Sequence, residues 1–336
     1  MLKILQEFCE INSPSGFEKD IRERILEEIS PFCECRTDKN GNIIAYKKGK
    51  LPSNVKLMVD AHLDEVGIII SAVTNDGFLK FQVLGGIKPS VLLCRRVCIN
   101  NSVIGVIGCK PIHLTDSEEG KKLPNSDALY IDIGCSSRAA AEEIISVGDG
   151  GVIMSEFMAL SSTRIKAKAI DDRVGCYILA ELLKMDFDYD FYATFTVGEE
   201  LGCRGAITAA YTVNPDVALI LEATTAADLD GVNDEDKVCR LGGGPAVSFM
   251  DRGTVYDRAL YDAAINSGIH CQPKSAVAGG NNASKIHLNR EGVRTLALSV
   301  PCRYIHTPSS ICDITDIEDT KILAKYMINK ICSGEI

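Results

Sequence analysis

The spacing of apolar residues along the first part of the chain predicts two helices followed by strands. Apolar positions recur at helical intervals over residues 2–8 and again over residues 21–29. Asn40-Gly41 is a turn signal in front of the apolar run 43–46. A second run, residues 55–59, is typical of a buried strand and leads directly into a group of polar residues.

The pattern changes between residues 67 and 162. Short apolar runs, such as residues 91–93 and 103–107, predict strands, and glycines and a polar loop at residues 115–126 separate them. We therefore expect a β-rich domain to be inserted here.

Alternation of strands and helices returns after residue 163 and predicts a layered α/β domain. The expected elements are a helix over residues 173–183, a strand over 191–197, a helix from near Cys203, a strand over 217–221 and a final helix over 316–331. The predicted fold class is thus α/β, with a three-layer domain formed by residues 1–66 and 163–336 and interrupted by the insert at 67–162.

Composition and charge narrow the classes of function. The chain has 336 residues, of which 46% are hydrophobic and 24% charged, as in ordinary soluble globular proteins. A net charge of −10 disfavours binding to nucleic acid and to anionic membranes. The absence of Trp and the 6% aromatic content argue against stacking platforms for sugars or single strands.

The cysteines and the N-terminus predict a cytoplasmic protein. The 14 cysteines are scattered singly and form no CxxC pair, which argues for reduced thiols and against a Cys-type zinc ribbon. No apolar run is long enough for a signal peptide or a membrane span.

Candidate functional residues follow the predicted strands, where the active sites of open α/β sheets form. His62 and Asp64 are spaced to share one face of an extended segment, so the carboxylate can orient a metal-binding imidazole. Alone, a His-x-Asp pair is also common in surface loops.

Asp171 and Asp172 precede a predicted helix, where they could be an N-cap and a first-turn acid. Glu199 and Glu200 repel one another, and a metal resolves that conflict if one is a ligand and its neighbour is a general base.

Two further candidates are Glu222 and His306. Glu222 ends a strongly apolar strand, where an unpaired acid is costly. His306 could equally be a packed loop histidine, and the other three, His113, His270 and His287, are expected to be structural or exposed. A combined set of His, Asp and Glu suits Zn²⁺, Co²⁺ or Mn²⁺, and a shared carboxylate is typical of hydrolases with paired cations.

At these residues the chain resembles the tetrahedral aminopeptidases, the glutamyl-aminopeptidase and cellulase-M-like family of co-catalytic metallopeptidases. The resemblance runs nearly from end to end. It rests on Ser13-Pro14-Ser15-Gly16, Asp60-Ala61-His62-Leu63-Asp64-Glu65-Val66-Gly67, Ala169-Ile170-Asp171-Asp172-Arg173-Val174-Gly175, Gly198-Glu199-Glu200-Leu201-Gly202, Ile286-His287-Leu288 and Arg303-Tyr304-Ile305-His306-Thr307.

The resemblance implies a zinc-peptidase-like catalytic domain with a small β-barrel-like insert. It implies that His62 and Glu222 hold one metal, that Glu200 and His306 hold the other, and that Asp171 bridges them. Glu199 would be the general base, and Asp64 would orient His62. The expected cofactors are two divalent ions, Zn²⁺ or Co²⁺, the expected substrates are short peptides, and the expected assembly is a homo-oligomer, by resemblance a tetrahedral dodecamer.

Two positions depart from the family pattern. Glu222 stands where most members carry Asp, and Asn282 stands where a carboxylate is usual, which removes a negative charge near the expected site. Substrate preference is therefore left open.

Two other functions compete with peptide hydrolysis. One is a cellulase-like glycoside hydrolase, which ordinarily needs two carboxylates and no metal. The other is a non-catalytic scaffold that retains the fold.

Overall fold

The computed structural model describes residues 2–115 and 124–336. The helices are α1 (Leu2–Glu10), α2 (Lys19–Ile29), α3 (Pro89–Leu92), α4 (Arg138–Glu142), α5 (Ile170–Leu183), α6 (Arg204–Val213), α7 (Arg258–Ile265), α8 (Ala283–Ile286) and α9 (Ile314–Cys332). The strands are β1 (Glu34–Thr37), β2 (Ile43–Lys47), β3 (Leu57–His62), β4 (Gly67–Val73), β5 (Leu79–Leu84), β6 (Arg96–Ile99), β7 (Val103–Gly108), β8 (Tyr130–Asp132), β9 (Gly150–Ile153), β10 (Met158–Ala159), β11 (Arg164–Ala167), β12 (Phe191–Thr196), β13 (Val217–Thr225), β14 (Ala246–Val247), β15 (Gln272–Pro273), β16 (Arg294–Arg303) and β17 (Ser310–Asp313).

A large mixed sheet forms the centre of the molecule, with strand order β1-β2-β12-β3-β13-β16-β17-β11-β10. Its middle strands, β12, β3, β13 and β16, run parallel, and the flanking strands are antiparallel. β3 and β13 are buried over almost their whole length, as expected for strands covered on both faces. Parallel strands deliver their carboxyl ends to one edge of the sheet, which is where a site can form.

Helices cover the sheet and complete the three-layer α/β fold that the alternation predicts. α5 packs against β3 and β13 and also contacts α1, α2 and α9, while α6 and α8 pack against each other and against β12 and β16. In α2, Ile21, Ile25 and Ile29 are fully buried, so the predicted four-residue spacing marks its core face.

A closed barrel with strand order β4-β5-β8-β7-β6-β9 lies within the range predicted for the insert. Its own core includes Ile68, Leu79, Val97 and Ile131. Residues 158–159 also fall in that range, but they form β10 and pair with β11 of the large sheet. The division into two folding units at 67–162 stays a prediction.

Some predicted elements differ from the structure. Residues 91–93 were expected to form a strand, which is wrong: Pro89 opens the helical turn α3 there, and proline suits the first turn of a helix. The strand expected over residues 55–59 is β3, which begins at Leu57 and extends past the apolar run to His62 because Asp60 and His62 are buried with hydrogen-bond partners. Of the polar loop expected at 115–126, residues 116–123 lie outside the described part of the chain.

Candidate metal centre

The candidate residues converge at the carboxyl edge of the parallel strands. His62 is the last residue of β3 and pairs in register with Thr196, the last residue of β12, so the loop with Glu199 and Glu200 follows beside it. Glu222 was expected to end its strand; it instead lies inside β13, opposite Ser299 of β16.

His62 is 1% exposed and is held from one side of its ring. Its Nδ1 lies 3.1 Å from the carbonyl oxygen of Asp64 and 3.4 Å from Oδ1 of the same residue. Its Nε2 faces the cavity, 3.1 Å from Asp171 Oδ1 and 3.5 Å from Glu222 Oε1. A proton on Nδ1 would leave Nε2 as a lone-pair donor aimed between two carboxylates.

His306 repeats this arrangement on the other side of Asp171. Its Nε2 lies 3.1 Å from Asp171 Oδ2 and 3.1 Å from Glu200 Oε1. This Glu200 oxygen is buried, and in the described part of the chain no donor meets it with hydrogen-bond geometry, although the His306 ring lies within ion-pair distance. The backbone of His306 has a φ of +58°, in the left-handed region, which is uncommon for a residue other than glycine.

These side chains form two groups of possible ligands that meet at Asp171. One contains His62, Asp172 and Glu222, and the other contains Asp171, Glu200 and His306; within each group the ligand atoms lie within 4.8 Å of one another. Nitrogen and carboxylate donors lie close together here, and one Glu200 oxygen lacks a hydrogen bond within the described residues. This combination fits divalent cations such as Zn²⁺.

The electrostatics of the site show the same crowding of negative charge. Burial raises the pKa of Glu222 well above its usual range, and the nearby Asp172 raises it further. Burial alone lowers the pKa of His306, but the adjacent carboxylates of Asp171 and Glu200 outweigh it and raise that pKa to about 11. Without a cation, protonated histidines would balance this negative charge, and bound cations would supply the same positive charge instead.

Asp172 takes the helix-capping role that the sequence left open for Asp171. Its Oδ1 accepts a hydrogen bond from the backbone N–H of Gly175, and its Oδ2 accepts one from the N–H of His62. Gly175 permits this close approach, because a Cβ there would lie 2.4 Å from Asp172 Oδ1. The Asp171 carboxylate is left for the two histidines.

Glu199 lies beside these groups but belongs to neither. Its carboxyl group lines the cavity, and burial raises its pKa to about 7. Cys203 Sγ donates to its Oε1 at 3.2 Å. A carboxyl group that does not bind a cation is suited to accept and return a proton.

Asp64 holds the segment that carries the two glutamates. Its Oδ1 accepts from the backbone N–H of Glu199 at 3.0 Å, and its Oδ2 accepts from that of Glu200 at 3.1 Å. Ser15 Oγ also donates to Oδ2, at 2.6 Å. Glu18 Oε1 in turn accepts from the N–H of Gly198, at 3.1 Å.

Ser15 and Glu18 were not among the predicted site residues. Ser15 belongs to a motif that carries the family resemblance, and that motif was the available signal. Glu18 offers no signal in sequence, since an acid at the start of α2 is ordinary for a helix.

A cavity of about 130 Å³ opens onto the site. Its lining includes His62, Asp171, Glu199, Glu222 and His306. Asn282, where the family pattern predicts a carboxylate near the site, is not among the residues that line the cavity: it is 1% exposed and donates to Asp60 and Thr196.

The remaining histidines contribute no ligand to either group. His270 is exposed and lies 2.9 Å from Asp319, and the ring of His287 contacts the carbonyl oxygen of Ala283.

The segment that follows β5 of the barrel also approaches the site, because a Cβ on Gly86 would lie 2.9 Å from His306 Nδ1. No described helix is both long and apolar enough to cross a bilayer.

Comparison with known proteins places the chain in a family of peptidases. The family model for M42 glutamyl aminopeptidase matches residues 41–323. A lysyl aminopeptidase of Pyrococcus furiosus is 31% identical over 350 residues, covering 98% of this chain and 97% of that protein.

Solved structures agree with this match. An aminopeptidase from Desulfurococcus kamchatkensis superposes with a TM-score of 0.93 at 34% identity, covering 98% of this chain and 94% of its own. The TET1 peptidase of Pyrococcus horikoshii, described as assembling into a tetrahedron or an octahedral shell, gives a TM-score of 0.85 at 30% identity and covers 98% of both chains. The chain therefore belongs to the M42 glutamyl aminopeptidase family and is a metal-dependent aminopeptidase.

Proposed function

We propose that this protein removes N-terminal residues from short peptides in the cytoplasm, using two divalent cations per chain. The observation that carries the proposal is the position of Asp171: its two oxygens lie 3.1 Å from Nε2 of His62 and 3.1 Å from Nε2 of His306. One carboxylate between two imidazoles is the arrangement that a pair of bridged cations needs.

The proposed ligands divide into two sets that share Asp171. His62 and Glu222 would hold one ion, and Glu200 and His306 would hold the other. Zn²⁺ or Co²⁺ suits this mixture of nitrogen and oxygen donors. Glu222 Oε1 lies 3.5 Å from His62 Nε2, so its carboxylate lies beside the proposed ligand nitrogen of His62.

When bound, the cations lower the pKa of water and polarise the scissile carbonyl. Glu199 takes the proton from the attacking water and returns it to the leaving amine, a role typically worth about 10²- to 10⁴-fold in rate. Asp64 holds the His62 ring and, through the Glu199 and Glu200 amides, the loop that carries the base.

We also propose that the chain acts as a homo-oligomer and expect a tetrahedral dodecamer. The proposal follows by analogy with the TET1 peptidase, which is described as assembling into a tetrahedron or a large octahedral shell. A hollow assembly with inward-facing sites would restrict the substrates to short or unfolded peptides. The family match over most of the chain supports the proposal.

The experiment is to compare wild type with Glu199→Gln on aminoacyl anilides. The variant should keep its metal content and lose about 10²- to 10⁴-fold in kcat. The exposed Glu235→Gln is the matched control and should behave as wild type. Near-normal turnover in Glu199→Gln would remove Glu199 from the mechanism.

Metal dependence is tested on the same anilides. Exhaustive chelation should abolish turnover, and Zn²⁺ or Co²⁺ should restore it. Full metal occupancy without turnover on a broad peptide panel would instead favour the scaffold, and release of reducing sugar from cellulose oligomers by chelated protein would favour a glycoside hydrolase.

A further inference from the structure

Two thiols lie in contact at one edge of the large sheet, apart from the candidate metal centre. Cys33 immediately precedes β1 and Cys35 lies within it, and their Sγ atoms are 3.6 Å apart. Both residues are partly exposed, and both thiols are free. Neither residue lines the cavity of the metal centre or belongs to either group of possible ligands.

The short stretch of backbone between the two thiols allows a direct bond. A disulfide needs its sulfur atoms about 2 Å apart and its Cα atoms within about 7 Å of each other. Residues two apart have Cα atoms at most about 7 Å apart even in an extended chain, and they point to the same face of a strand. Rotation of the Cys33 and Cys35 side chains can therefore join the sulfurs while β1 stays paired with β2.

The surroundings make Cys35 the more acidic of the two thiols. Their shared hydrogen bond raises the pKa of Cys33 and lowers the pKa of Cys35. The ammonium group of Lys47 lies beside the pair: it donates to the carbonyl oxygens of Leu183 at 2.7 Å and Phe32 at 3.3 Å, and within the described residues it has no carboxylate partner. Partly exposed thiols in electropositive surroundings are the reactive ones.

A small molecule can reach Cys35 from a surface cavity of about 450 Å³. Tyr46 and Tyr192 contribute to the same lining. Cys33 is not part of this lining, and its Sγ donates to the carbonyl oxygen of Ile29 at 3.3 Å. An oxidant in the cavity therefore meets Cys35, with the Cys33 sulfur 3.6 Å away.

We propose that Cys33 and Cys35 form a reversible dithiol–disulfide site that reacts with hydroperoxides. The Cys35 thiolate attacks the terminal peroxide oxygen, so that an S–O bond forms, the O–O bond breaks, and the leaving alkoxide takes up a proton to become an alcohol. The Cys33 sulfur then attacks the sulfenic acid sulfur: the S–S bond forms, the S–O bond breaks, and the hydroxide leaves as water with the Cys33 proton. The two thiols lose two electrons in total, which reduce the hydroperoxide.

Another pair of cysteines provides an internal control. Cys302 and Cys312 face each other across β16 and β17, but both are 0% exposed, and burial raises the pKa of each thiol. Thiols that are buried and protonated are inert. We therefore expect this pair to stay reduced in the folded protein.

The test exposes the folded, Zn²⁺-loaded protein to hydrogen peroxide, blocks the remaining thiols with N-ethylmaleimide in urea and identifies the products by mass spectrometry. Trypsin releases residues 25–36 as one peptide, which contains Cys33 and Cys35 and no other cysteine. In wild type this peptide should lose two hydrogen atoms and take up no maleimide, and dithiothreitol should restore both thiols. Cys302 and Cys312 should take up maleimide in full.

Single substitutions separate the roles of the two sulfurs. In Cys33→Ser, oxidation of Cys35 should stop at the sulfenic acid, which dimedone traps. In Cys35→Ser, Cys33 should react more slowly than Cys35 does in wild type, by about 10-fold or more, because the thiolate is the nucleophile. The exposed Cys94 is the matched control, and Cys94→Ser should leave the yield of the disulfide unchanged.

Three results would overturn the proposal. In the first, Cys33 and Cys35 both stay reduced while the exposed Cys94 is oxidised. In the second, the two sulfurs are oxidised separately and no bond forms between them. In the third, the bond forms as fast in the urea-unfolded chain as in the folded protein, so that the folded surroundings contribute nothing.

Discussion

The Nδ1 atom of His62 lies 3.1 Å from the carbonyl oxygen of Asp64, and its opposite ring nitrogen faces the cavity. The contact fixes which nitrogen can carry the proton, and therefore which one is free to bind a cation. Asp64 itself is 0% exposed and accepts hydrogen bonds from three further donors. The same residue thus organises a proposed ligand and the loop that carries the proposed base.

We predict that Asp64→Asn weakens binding of one cation. Loss of a group that orients a ligating histidine typically costs about 10- to 100-fold in metal affinity. The measurement is a competition titration with a chromophoric chelator, with the exposed Asp76→Asn as the control. The variant keeps the contact between His62 Nδ1 and the backbone carbonyl, so unchanged affinity would show that the Asp64 carboxylate, 3.4 Å from Nδ1, does not support His62.

Ser15→Ala is expected to lower kcat while both cations stay bound. The variant removes the 2.6 Å hydrogen bond to Asp64, and a hydrogen bond to a charged group is worth about 1.5–3 kcal/mol, or about 10- to 100-fold. Ser13→Ala is a matched control, since the buried Ser13 hydroxyl has no partner among the described residues. Equal losses in both variants would point to general damage to the segment, and an unaffected Ser15→Ala would refute its positioning role.

The sequence predicted the fold better than the boundaries of its elements. Helical spacing identified α2 and α9, and the alternation of strands and helices predicted the layered class. The predicted strand ended too early, before the end of β3, because the later part of β3 is polar. In that part Asp60 is 0% exposed and accepts hydrogen bonds from Thr194 at 2.5 Å and from Asn282 at 2.7 Å. Partners so distant in sequence are invisible to a pattern of apolar residues.

The same limit applies to the site. Resemblance drew attention to Asp171 and His306, but their local sequence allowed a helix cap and a packed loop histidine. The structure places their side-chain atoms 3.1 Å apart, although the residues are far apart in the chain. Glu18 was missed because its partner, Gly198, is equally remote.

Asn282→Asp should destabilise the protein at neutral pH. Asn282 Nδ2 donates to Asp60 at 2.7 Å and to Thr196 at 2.8 Å, and aspartate would replace this donor with a second buried acid facing Asp60. We expect a loss of about 1–3 kcal/mol in the free energy of unfolding, measured in urea. The exposed Asn75→Asp should cost little, and equal stability of the two variants would contradict the assigned contact.

Asp316 is predicted to make stability depend on pH. Burial raises its pKa to about 6, although the N–H groups of Gly242 and Gly244 donate to it at 2.8 and 2.7 Å. The folded chain therefore holds this proton more tightly than the unfolded chain, whose aspartates have a pKa near about 3.9. The resulting stabilisation is present below about pH 4 and is lost as the pH rises through about 6.

Urea unfolding of wild type and Asp316→Asn between pH 4 and pH 7 measures this effect. The stability of wild type relative to the variant should fall by up to about 2 kcal/mol as the pH rises. A difference that stays constant, or one that grows with pH, would show that Asp316 does not hold its proton in this way.

The most direct test of the account is the number of metal ions bound per chain, measured by elemental analysis after loading with Zn²⁺ and desalting. Asp171 is the one ligand that both proposed sites share, whereas His62 and His306 serve one site each. We predict two ions in wild type, about one each in His62→Ala and His306→Ala, and weakened binding of both in Asp171→Asn. Wild type without bound metal, or single variants that retain both ions, would contradict a paired centre at these residues.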